Sequence, residues 1–423
     1  MKNRGTLARL TGCLVAVVTI VGFAPLAHAR KAKSLCVAPS SGSVSSSCFG
    51  TIRAALKHAR SGDSITIAAG TYVENVHIGK NSKKGEKISL TITGAGAGST
   101  IIDGGANGTV VSIFPQADVT LSGVTVQNGS AGGIAVRDGT LNLTNCAVTN
   151  NQTTGSGGGI DFAVSNHLPK TAPQLNIDNC TISGNTANGA NAVFPCGGGL
   201  ASNGSANIIN STISGNTALG GVSPERTLFY GSGGGLCLGG QTTIANTTIS
   251  GNQATGNPTG GEPEGGGIIY DAPLVLNNVT VANNSVNFGI GKGGGIFGIL
   301  GAAATVSNTI LALNTAHDQL DCGGILGNLI SQGHNLIQNN ACDISGDTTT
   351  NILDEDPMLE SLQLNAPGTT ETQALMAGSP AIGAGAPGTN NSTGAGPQCL
   401  PTDQRGVTRP TDACDIGAYQ TSM

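Results

Sequence analysis

The sequence predicts an all-β solenoid, a single-stranded right-handed parallel β-helix, from its composition and from one repeated pattern. The chain has 423 residues, of which 67 are Gly and none is Trp, and charged residues make up only 10%. Gly does not recur at every third position, which excludes collagen, and the chain lacks the charge and Pro content of a disordered segment. A repeat in which period-2 alternation surrounds a fixed Asn then selects a solenoid.

Residues 1–29 are expected to form an export signal. Three basic residues precede an apolar stretch from Leu10 to Leu26, and Ala27-His28-Ala29 has the small-residue pattern of a cleavage site. The expected location is therefore extracellular or at the cell surface, with no transmembrane segment after cleavage. The net charge is −5 before cleavage, and loss of the basic residues makes it more negative, which argues against a nucleic-acid partner.

Residues 30–64 are predicted to contain a disulfide loop and a capping helix. The segment TIRAALKHAR from Thr51 is the one convincing helical pattern, with Ile52, Ala55 and Leu56 on one face. An amphipathic helix at this point would cover the edge strand of the first coil.

The solenoid itself is predicted to span residues 65–342, and its six repeats align on one Asn. The anchor residues are Asn145, Asn179, Asn210, Asn246, Asn278 and Asn308. A second Asn follows six positions later in each repeat, at Asn151, Asn185, Asn216, Asn252, Asn284 and Asn314. Between repeats, a Gly triplet precedes an aliphatic residue, as in Gly157-Gly158-Gly159-Ile160.

Each repeat is therefore predicted to contain a strand, a bend at the anchor Asn, a second strand, a loop and a Gly-initiated strand. No such strand can bury its apolar face alone, so coils stacked at ~4.8 Å must build the core together. We expect the anchor Asn side chains to point inward and to form an amide ladder from coil to coil. Residues 343–423 lose the repeat and are predicted to form a C-terminal cap.

Several segments resemble known families. The segment from Phe49 to Ile78 resembles the opening of pectin-lyase-like right-handed parallel β-helix proteins, and the GGGI and SGN repeats are similar to those of polymorphic outer-membrane proteins. The tail segments ALMAGSPAIGAG from Ala374 and TDQRGVTRPTDACDIGAYQ from Thr402 resemble the choice-of-anchor Q domain of exported bacterial proteins, with Gly383 where that family usually has Asp. The charged tail residues are expected to form a buried ion-pair network: Asp403, Arg405, Arg409 and Asp415.

Ten Cys remain after cleavage, and in an exported chain this favours disulfides. The expected pairs each close a short loop: Cys36 with Cys48, Cys322 with Cys342, and Cys399 with Cys414. A further pair is considered because Cys196 and Cys237 flank consecutive Gly triplets and would staple a long loop to the sheet. For Cys146 and Cys180, which share one inward position in successive coils, a cross-coil disulfide and a stacked thiol pair both stay open. No C-x-x-C occurs and His is sparse, so no metal site is expected.

The fold resemblance implies a groove along the Gly-initiated sheet, flanked by the long loops. Alternation places the following residues on the outer face of that sheet: Ala135, Arg137, Asp161, Ala201, Cys237, Ile269 and Phe297. Arg137, Asp161 and Asp271 are the candidates for a sparse catalytic site, with solvated surface charges as the alternative. The candidates for a binding patch, with simple loop packing as the alternative, are Glu225, Arg226, Phe229, Tyr230, Tyr270, Phe288 and Phe297.

The function predicted from these observations is a non-catalytic, adhesin-like module that binds an extracellular polysaccharide or cell-surface ligand. The alternative is a polysaccharide lyase or glycoside hydrolase. A lyase needs a base and usually Ca²⁺ held by several carboxylates, and a hydrolase needs two close carboxylates. The carboxylates between residues 110 and 300 are scattered singly. No cofactor is therefore expected, apart from Ca²⁺ under the lyase alternative, and the oligomeric state is left open.

Overall fold

Parallel strands stack coil upon coil along the chain, and the predicted all-β fold class, a right-handed parallel β-helix, is confirmed. The computed structural model describes residues 30–39, 47–79, 87–165, 172–189, 194–222, 228–256, 261–324, 328–339, 342–388 and 396–421. Within these ranges, the one antiparallel pair of strands joins Gly221–Val222 to Leu228–Phe229. Right-handed winding is the hand that parallel strand connections take almost without exception. No helix among the described residues is long and apolar enough to span a membrane.

The large sheet contains the strands on both sides of the anchor Asn. Its 22 strands are Ser34–Val37, Cys48–Phe49, Ser64–Ile67, Gly70–Val73, Ile88–Thr93, Thr100–Asp103, Ala117–Ser122, Thr125–Gln127, Thr140–Thr144, Ala147–Thr149, Gln174–Asp178, Thr181–Ser183, Ser205–Ile209, Thr212–Ser214, Thr242–Ser250, Leu274–Ala282, Ala303–Ser307, Ile310–Ala312, Asn328–Gln332, Leu336–Ile337, Ile344–Asp347 and Ile352–Leu353.

Two further sheets complete each coil. The groove sheet contains the Gly-initiated strands: Val76–Ile78, Val111–Ile113, Ile134–Arg137, Ile160–Ala163, Leu200–Ser202, Leu236–Leu238, Ile268–Tyr270, Ile296–Gly298 and Cys322–Gly324. The corner sheet lies just after the second Asn and contains Gln152–Thr153, Thr186–Asn188, Thr217–Leu219, Gln253–Thr255 and Ser285–Asn287. The segments of the corner sheet were predicted to be loop, because three residues are too short for alternation to stand out.

The hydrophobic interior follows from the alternation. The aliphatic residue two positions before each anchor is register-paired with its counterpart in the next coil, as for Leu143, Ile177 and Ile208. These three side chains are at most 1% exposed. Stacked identical positions thus form continuous apolar columns, which is how short strands obtain a core that none could bury alone.

A single helix closes the N-terminal end. It spans Ile52–His58, and the Thr51 hydroxyl caps it by accepting from the Ala54 amide at 3.1 Å. Ile52 and Ala55 are fully buried against the first strands. The first coil begins earlier than predicted, because Ser34–Val37 pairs in parallel with Ser64–Ile67. A disulfide joins Cys36 to Cys48 beside this helix.

The inward amide ladder is built by the second Asn of each repeat, and the prediction for the anchor Asn was wrong. Each anchor adopts a left-handed backbone with φ between 43° and 53°, and this turns its side chain away from the core. Asn145 is exposed, and Asn179 donates to it from outside at 2.6 Å. Left-handed backbone is the conformation that Asn tolerates best after Gly, which explains why Asn recurs at this bend.

Every second Asn is at most 4% exposed. In each step, the backbone amide and the side-chain Nδ2 of one Asn both donate to the Oδ1 of the next coil's Asn. For Asn216 and Asn252 these distances are 3.0 and 2.9 Å. Nδ2 also donates to a backbone carbonyl of the preceding coil, as from Asn252 to Ile213 at 2.9 Å. The ladder therefore satisfies buried backbone and side-chain groups at the same corner of every coil.

Asp321 terminates this ladder. Its Oδ1 accepts from the Asn314 amide and Nδ2 at 3.2 and 2.9 Å, and its Oδ2 accepts from the Asn339 amide at 2.8 Å. Burial raises the pKa of Asp321 to about 6, against the opposing effect of these hydrogen bonds. The interior stack of neutral amides thus ends on an ionisable oxygen.

The buried carboxyl of Asp321 makes stability depend on pH. A raised native pKa means that the native state binds more protons than the unfolded state between about pH 4 and 6, so this group's contribution favours folding as the pH falls. Asp321→Asn removes that contribution, and its new amide faces the Asn339 N–H. We expect the free energy of unfolding of the wild type, relative to the variant, to rise by roughly 2 kcal/mol from pH 7.5 to 4.5, because pH 4.5 lies about 1.5 units below the native pKa. Urea denaturation of both proteins at the two pH values measures this difference in the free energy of unfolding. A difference that does not change with pH would contradict the prediction.

The C-terminal region does not form a cap on the end of the solenoid. Strands Ile344–Asp347 and Ile352–Leu353 still pair with the preceding coil, so the winding continues to Leu353. Residues 355–388 and 396–421 then lie along the large sheet. We call these residues the strap.

The strap covers the anchor-Asn corner over several coils. The Thr369 hydroxyl donates to Asn179 Oδ1 at 2.7 Å, and Asn308 Oδ1 accepts from the Ala386 amide at 2.7 Å. Between these points Asn246 donates to the Thr402 carbonyl at 2.7 Å. This cover explains why Asn246 is only 2% exposed although Asn145 lies in solvent. A disulfide joins the strap's Cys399 to Cys414.

Arg409 lies at the centre of the strap. Its guanidinium is 2% exposed and donates to the carbonyls of Asp415 and Gly417 at 3.0 and 2.8 Å. Burial lowers the pKa of Arg409 to about 10. Arg405 pairs with Asp403 at 2.8 Å and stacks on the Tyr419 ring.

The carboxylates of this network also accept backbone amides. Asp415 Oδ1 accepts from Gly383 at 2.8 Å, and Gly383 has a φ of 65° that suits Gly. The four charged tail residues thus form a buried network that ties the strap to itself, while Arg409 also reaches Asn246 on the large sheet at 3.4 Å.

Candidate functional site

A groove of about 380 Å³ lies on the outer face of the groove sheet. Its floor is apolar and consists of Ala201, Cys237 and Ile269, which are register-paired on three successive strands. Because side chains alternate along each strand, the neighbours Leu200, Leu236 and Ile268 point into the core instead. The alternation in the sequence therefore predicts which side chains form the floor of the groove.

A disulfide between Cys196 and Cys237 connects the floor to one wall. Cys196 directly precedes a Gly triplet, so the bond ties the loop before the triplet to the sheet. A disulfide likewise joins Cys322 to Cys342 at the far end of the groove sheet.

The three catalytic candidates lie around this groove but do not converge. Asp161 lines one end of the groove, and Arg137, which is not among the lining residues, forms an ion pair with it. Asp271 directly follows Ile268–Tyr270, the strand that is three pairings further along. At about 4.8 Å per strand, these two carboxylates belong to strands roughly 14 Å apart, whereas hydrolases place their two carboxylates within roughly 5–10 Å.

The predicted aromatic residues do not form one patch. Tyr270 is 3% exposed and Phe297 is fully buried. Burial raises the pKa of Tyr270 to about 12. Phe288 is exposed on a loop tip with a φ of 68°.

The remaining binding candidates lie on the longest loop. The Tyr230 ring packs edge-on against Phe194 with centroids 5.2 Å apart. Glu225 and Arg226 fall outside the described residues, and Phe229 is described only through its backbone pairing with Gly221. Phe194, which is 53% exposed, was not singled out from the sequence, although its place just before Cys196 is a usable signal.

A column of residues next to the groove was also missed. The residues before four of the Gly triplets pair from coil to coil, in the order Cys196, Ser232, Glu264 and Lys292, and Lys292 pairs in turn with Asp318. Burial, followed by the charge of Glu262, raises the pKa of Glu264 to about 7, and Lys292 acts in the opposite direction. The fixed position before the triplets would have revealed this column in the sequence.

Cys146 and Cys180 are present as a buried pair of free thiols rather than a disulfide. The Cys146 amide donates to the Cys180 sulfur at 3.3 Å. A side-chain hydrogen bond with Cys180 lowers the pKa of Cys146, whereas burial raises the pKa of Cys180. Across the described residues, no group of three or more His, Cys, Asp or Glu side chains is arranged to hold a metal ion.

No protein-family model matches the chain, and no curated protein matches it. Among solved structures, the chain is similar to pectate lyase Pel9A, with 15% identity, a TM-score of 0.40, and coverage of 93% of this chain and 97% of that one. It is also similar to pectin methylesterase from carrot, with 13% identity, a TM-score of 0.36, and coverage of 75% and 88%. These values are too low to transfer an activity, so the fold class rests on the strand pairing and the function on the groove.

Proposed function

We propose that the chain is an exported, extracellular β-helix module that binds a polysaccharide or similar linear cell-surface ligand in the groove, without catalysis. The observation that carries this proposal is the stacked apolar floor of Ala201, Cys237 and Ile269, bordered by polar groups such as Asp271. Ligand sites are typically concave and mostly apolar, with a few placed polar groups. A sugar chain offers the matching surface, because its ring faces are apolar and its edges carry hydroxyls.

The direction of the groove favours a linear polymer. Ala201, Cys237 and Ile269 are register-paired, so a chain lying along the solenoid axis meets an equivalent position once per coil, at a spacing of about 4.8 Å. A repeating ligand thus makes repeating contacts. A compact small molecule would use only part of this surface.

Export is supported by the four disulfides and by the signal-like start of the sequence. In this proposal the strap belongs to the choice-of-anchor Q type suggested by its motifs. It covers the polar corner of the solenoid. None of the residues that line the groove belongs to the strap, so the groove stays open to a ligand, as an adhesin-like module requires.

A second candidate function, a carbohydrate-active lyase or hydrolase, is favoured by one observation. Glu264 lies in the column that also contributes Cys196 to the groove wall, and its pKa of about 7 suits a general acid. Glu262 and Lys292 are its charged neighbours. We rank this candidate second because Asp161 and Asp271, the carboxylates of the groove itself, belong to distant strands.

Filling the groove tests the binding function. Ala201→Trp places a large ring on the floor, and we expect it to weaken glycan binding by at least about tenfold, since the ligand must pack against that floor. Ala303→Trp, on the outer face of the large sheet, is the matched control and should bind normally. Affinity electrophoresis over a panel of polysaccharides measures both variants.

The same panel separates binding from catalysis. Unsaturated products and new reducing ends should stay at background for the wild type. Robust turnover that is lost in Asp161→Ala, Arg137→Ala or Glu264→Gln would overturn the non-catalytic proposal. Equal binding by Ala201→Trp and Ala303→Trp would instead show that the groove is not the binding site.

A further inference from the structure

The charges around the groove define the class of its ligand more narrowly. We infer, on the basis of the proposed binding function, that the groove takes an uncharged linear glycan in preference to a polyuronate. The inference depends on one cation, two carboxylates and the apolar floor.

Arg137 is the cation paired with Asp161, which lines the groove, and its guanidinium already has partners. Its Nη1 donates to the carbonyls of Val136 and Asp161 at 3.2 Å each, and its Nη2 pairs with the Asp161 carboxylate. A uronate that recruited this guanidinium would have to displace Asp161 and leave its negative charge beside the ligand. The ion pair is about as favourable as the one that would replace it, so little binding energy is gained.

Asp271 presents the opposite charge to the one a uronate needs. It is exposed, and its side chain has no hydrogen-bond partner among the described residues. The Asp271 carboxylate packs closely against Gly239. A Cβ at position 239 would lie only 3.2 Å from Asp271 Oδ1, so the absence of a side chain there leaves room for the carboxylate. Its oxygens are acceptors for sugar hydroxyls, whereas a ligand carboxylate at about 4 Å would be repelled.

The apolar floor further favours an uncharged glycan over a polyuronate. Ala201 and Ile269 are 8% and 5% exposed, so a ligand resting on them loses much of its hydration on that side. An uncharged ring face tolerates this loss, whereas a carboxylate without a cationic partner does not. The column beside the groove continues the negative character, with Glu262 and Glu264 close to a single Lys292.

Pairs of polymers that differ only in charge test the inference on the full-length protein. Mannan and mannuronan form one pair, and methyl-esterified and de-esterified homogalacturonan form the other. Isothermal titration and affinity electrophoresis should show at least about tenfold tighter binding of the neutral member in one pair. Binding of the neutral member should also change little between 50 and 500 mM NaCl, because no charge is neutralised in the complex.

A charge-reversal variant tests the role assigned to Asp271. Asp271→Lys should reduce the preference for the neutral polymer by about tenfold through a gain in uronate binding. Glu355→Lys is the matched control, because Glu355 is exposed on the strap and changes the net charge equally. The control should keep the wild-type preference.

The outcomes separate the inference from the function on which it depends. Wild-type protein that binds the uronate as tightly as its neutral partner would overturn the inference and leave the binding function intact. Binding of neither member of either pair would overturn both. A preference unchanged in Asp271→Lys would also overturn the inference, since Asp271 would not face the ligand.

Discussion

Replacing Asn252 by Leu is expected to destabilise the protein by roughly 4–6 kcal/mol. Asn252 Oδ1 is the acceptor for both the amide and the Nδ2 of Asn216, at 3.0 and 2.9 Å, and its own Nδ2 bonds to the Ile213 carbonyl. Leu keeps the volume but leaves these groups buried without partners. Each buried unsatisfied polar group costs roughly 1–3 kcal/mol.

The control for this prediction is an Asn of the anchor column. Asn145→Leu affects an exposed side chain whose backbone is left-handed. The expected cost is about 1–2 kcal/mol and comes mainly from the backbone conformation, because water can replace the exposed hydrogen bond from Asn179. Equilibrium urea unfolding compares the two variants, with Asn252→Ser as a milder substitution if Leu prevents folding. A cost for Asn145→Leu as large as that for Asn252→Leu would contradict the ladder described above.

Replacing Arg409 by Met is expected to loosen the strap and to cost roughly 3–5 kcal/mol. The guanidinium is the buried cation that faces the carboxylates of Asp403 and Asp415, and it also donates to the carbonyls of Asp415 and Gly417. Removing one member of a buried charge network leaves the opposite charge uncompensated. Met fills the volume but supplies none of the five donors.

Hydrogen exchange separates loosening of the strap from general destabilisation. Strap amides such as Ala418, which donates to Thr280, should exchange much faster in Arg409→Met, while the core strand amides far from the strap keep their protection. Arg60→Met removes the same charge from an exposed position and should leave the exchange pattern unchanged. Unaltered protection of the strap in Arg409→Met would show that Arg409 does not hold it.

The sequence was sufficient to predict the strands of each coil and their buried aliphatic residues, but not the direction in which the Asn side chains point. Period-2 alternation identified Leu143 and Ile177 as inward residues, and both are buried. Counting by twos across the bend failed at Asn145, because a left-handed residue with a φ of 53° interrupts the alternation. An Asn is favoured both by a left-handed turn and by a buried ladder, so residue identity alone does not distinguish the two columns.

Contacts that are distant in sequence were beyond prediction. Thr369 meets Asn179 across 190 residues, and Gln404 meets Thr212 across 192. No local pattern encodes such a pairing, so the strap was predicted as a cap at the end. The groove floor could be predicted from the sequence, because Ala201, Cys237 and Ile269 each occupy the same position after a Gly triplet. The position of Glu264 before a triplet could also have been predicted, but its raised pKa could not, because that depends on burial in the folded protein.

The strap also changes how the molecule is expected to come apart. A solenoid held only by contacts between successive coils behaves as a one-dimensional array that frays from its ends. Here the strap crosses the coils from Asn179 to Asn308 and bonds to them, so the middle of the array cannot open before the strap is released. Mechanical or chemical unfolding should therefore proceed in one abrupt step over these coils, preceded only by gradual loss at the N-terminal end.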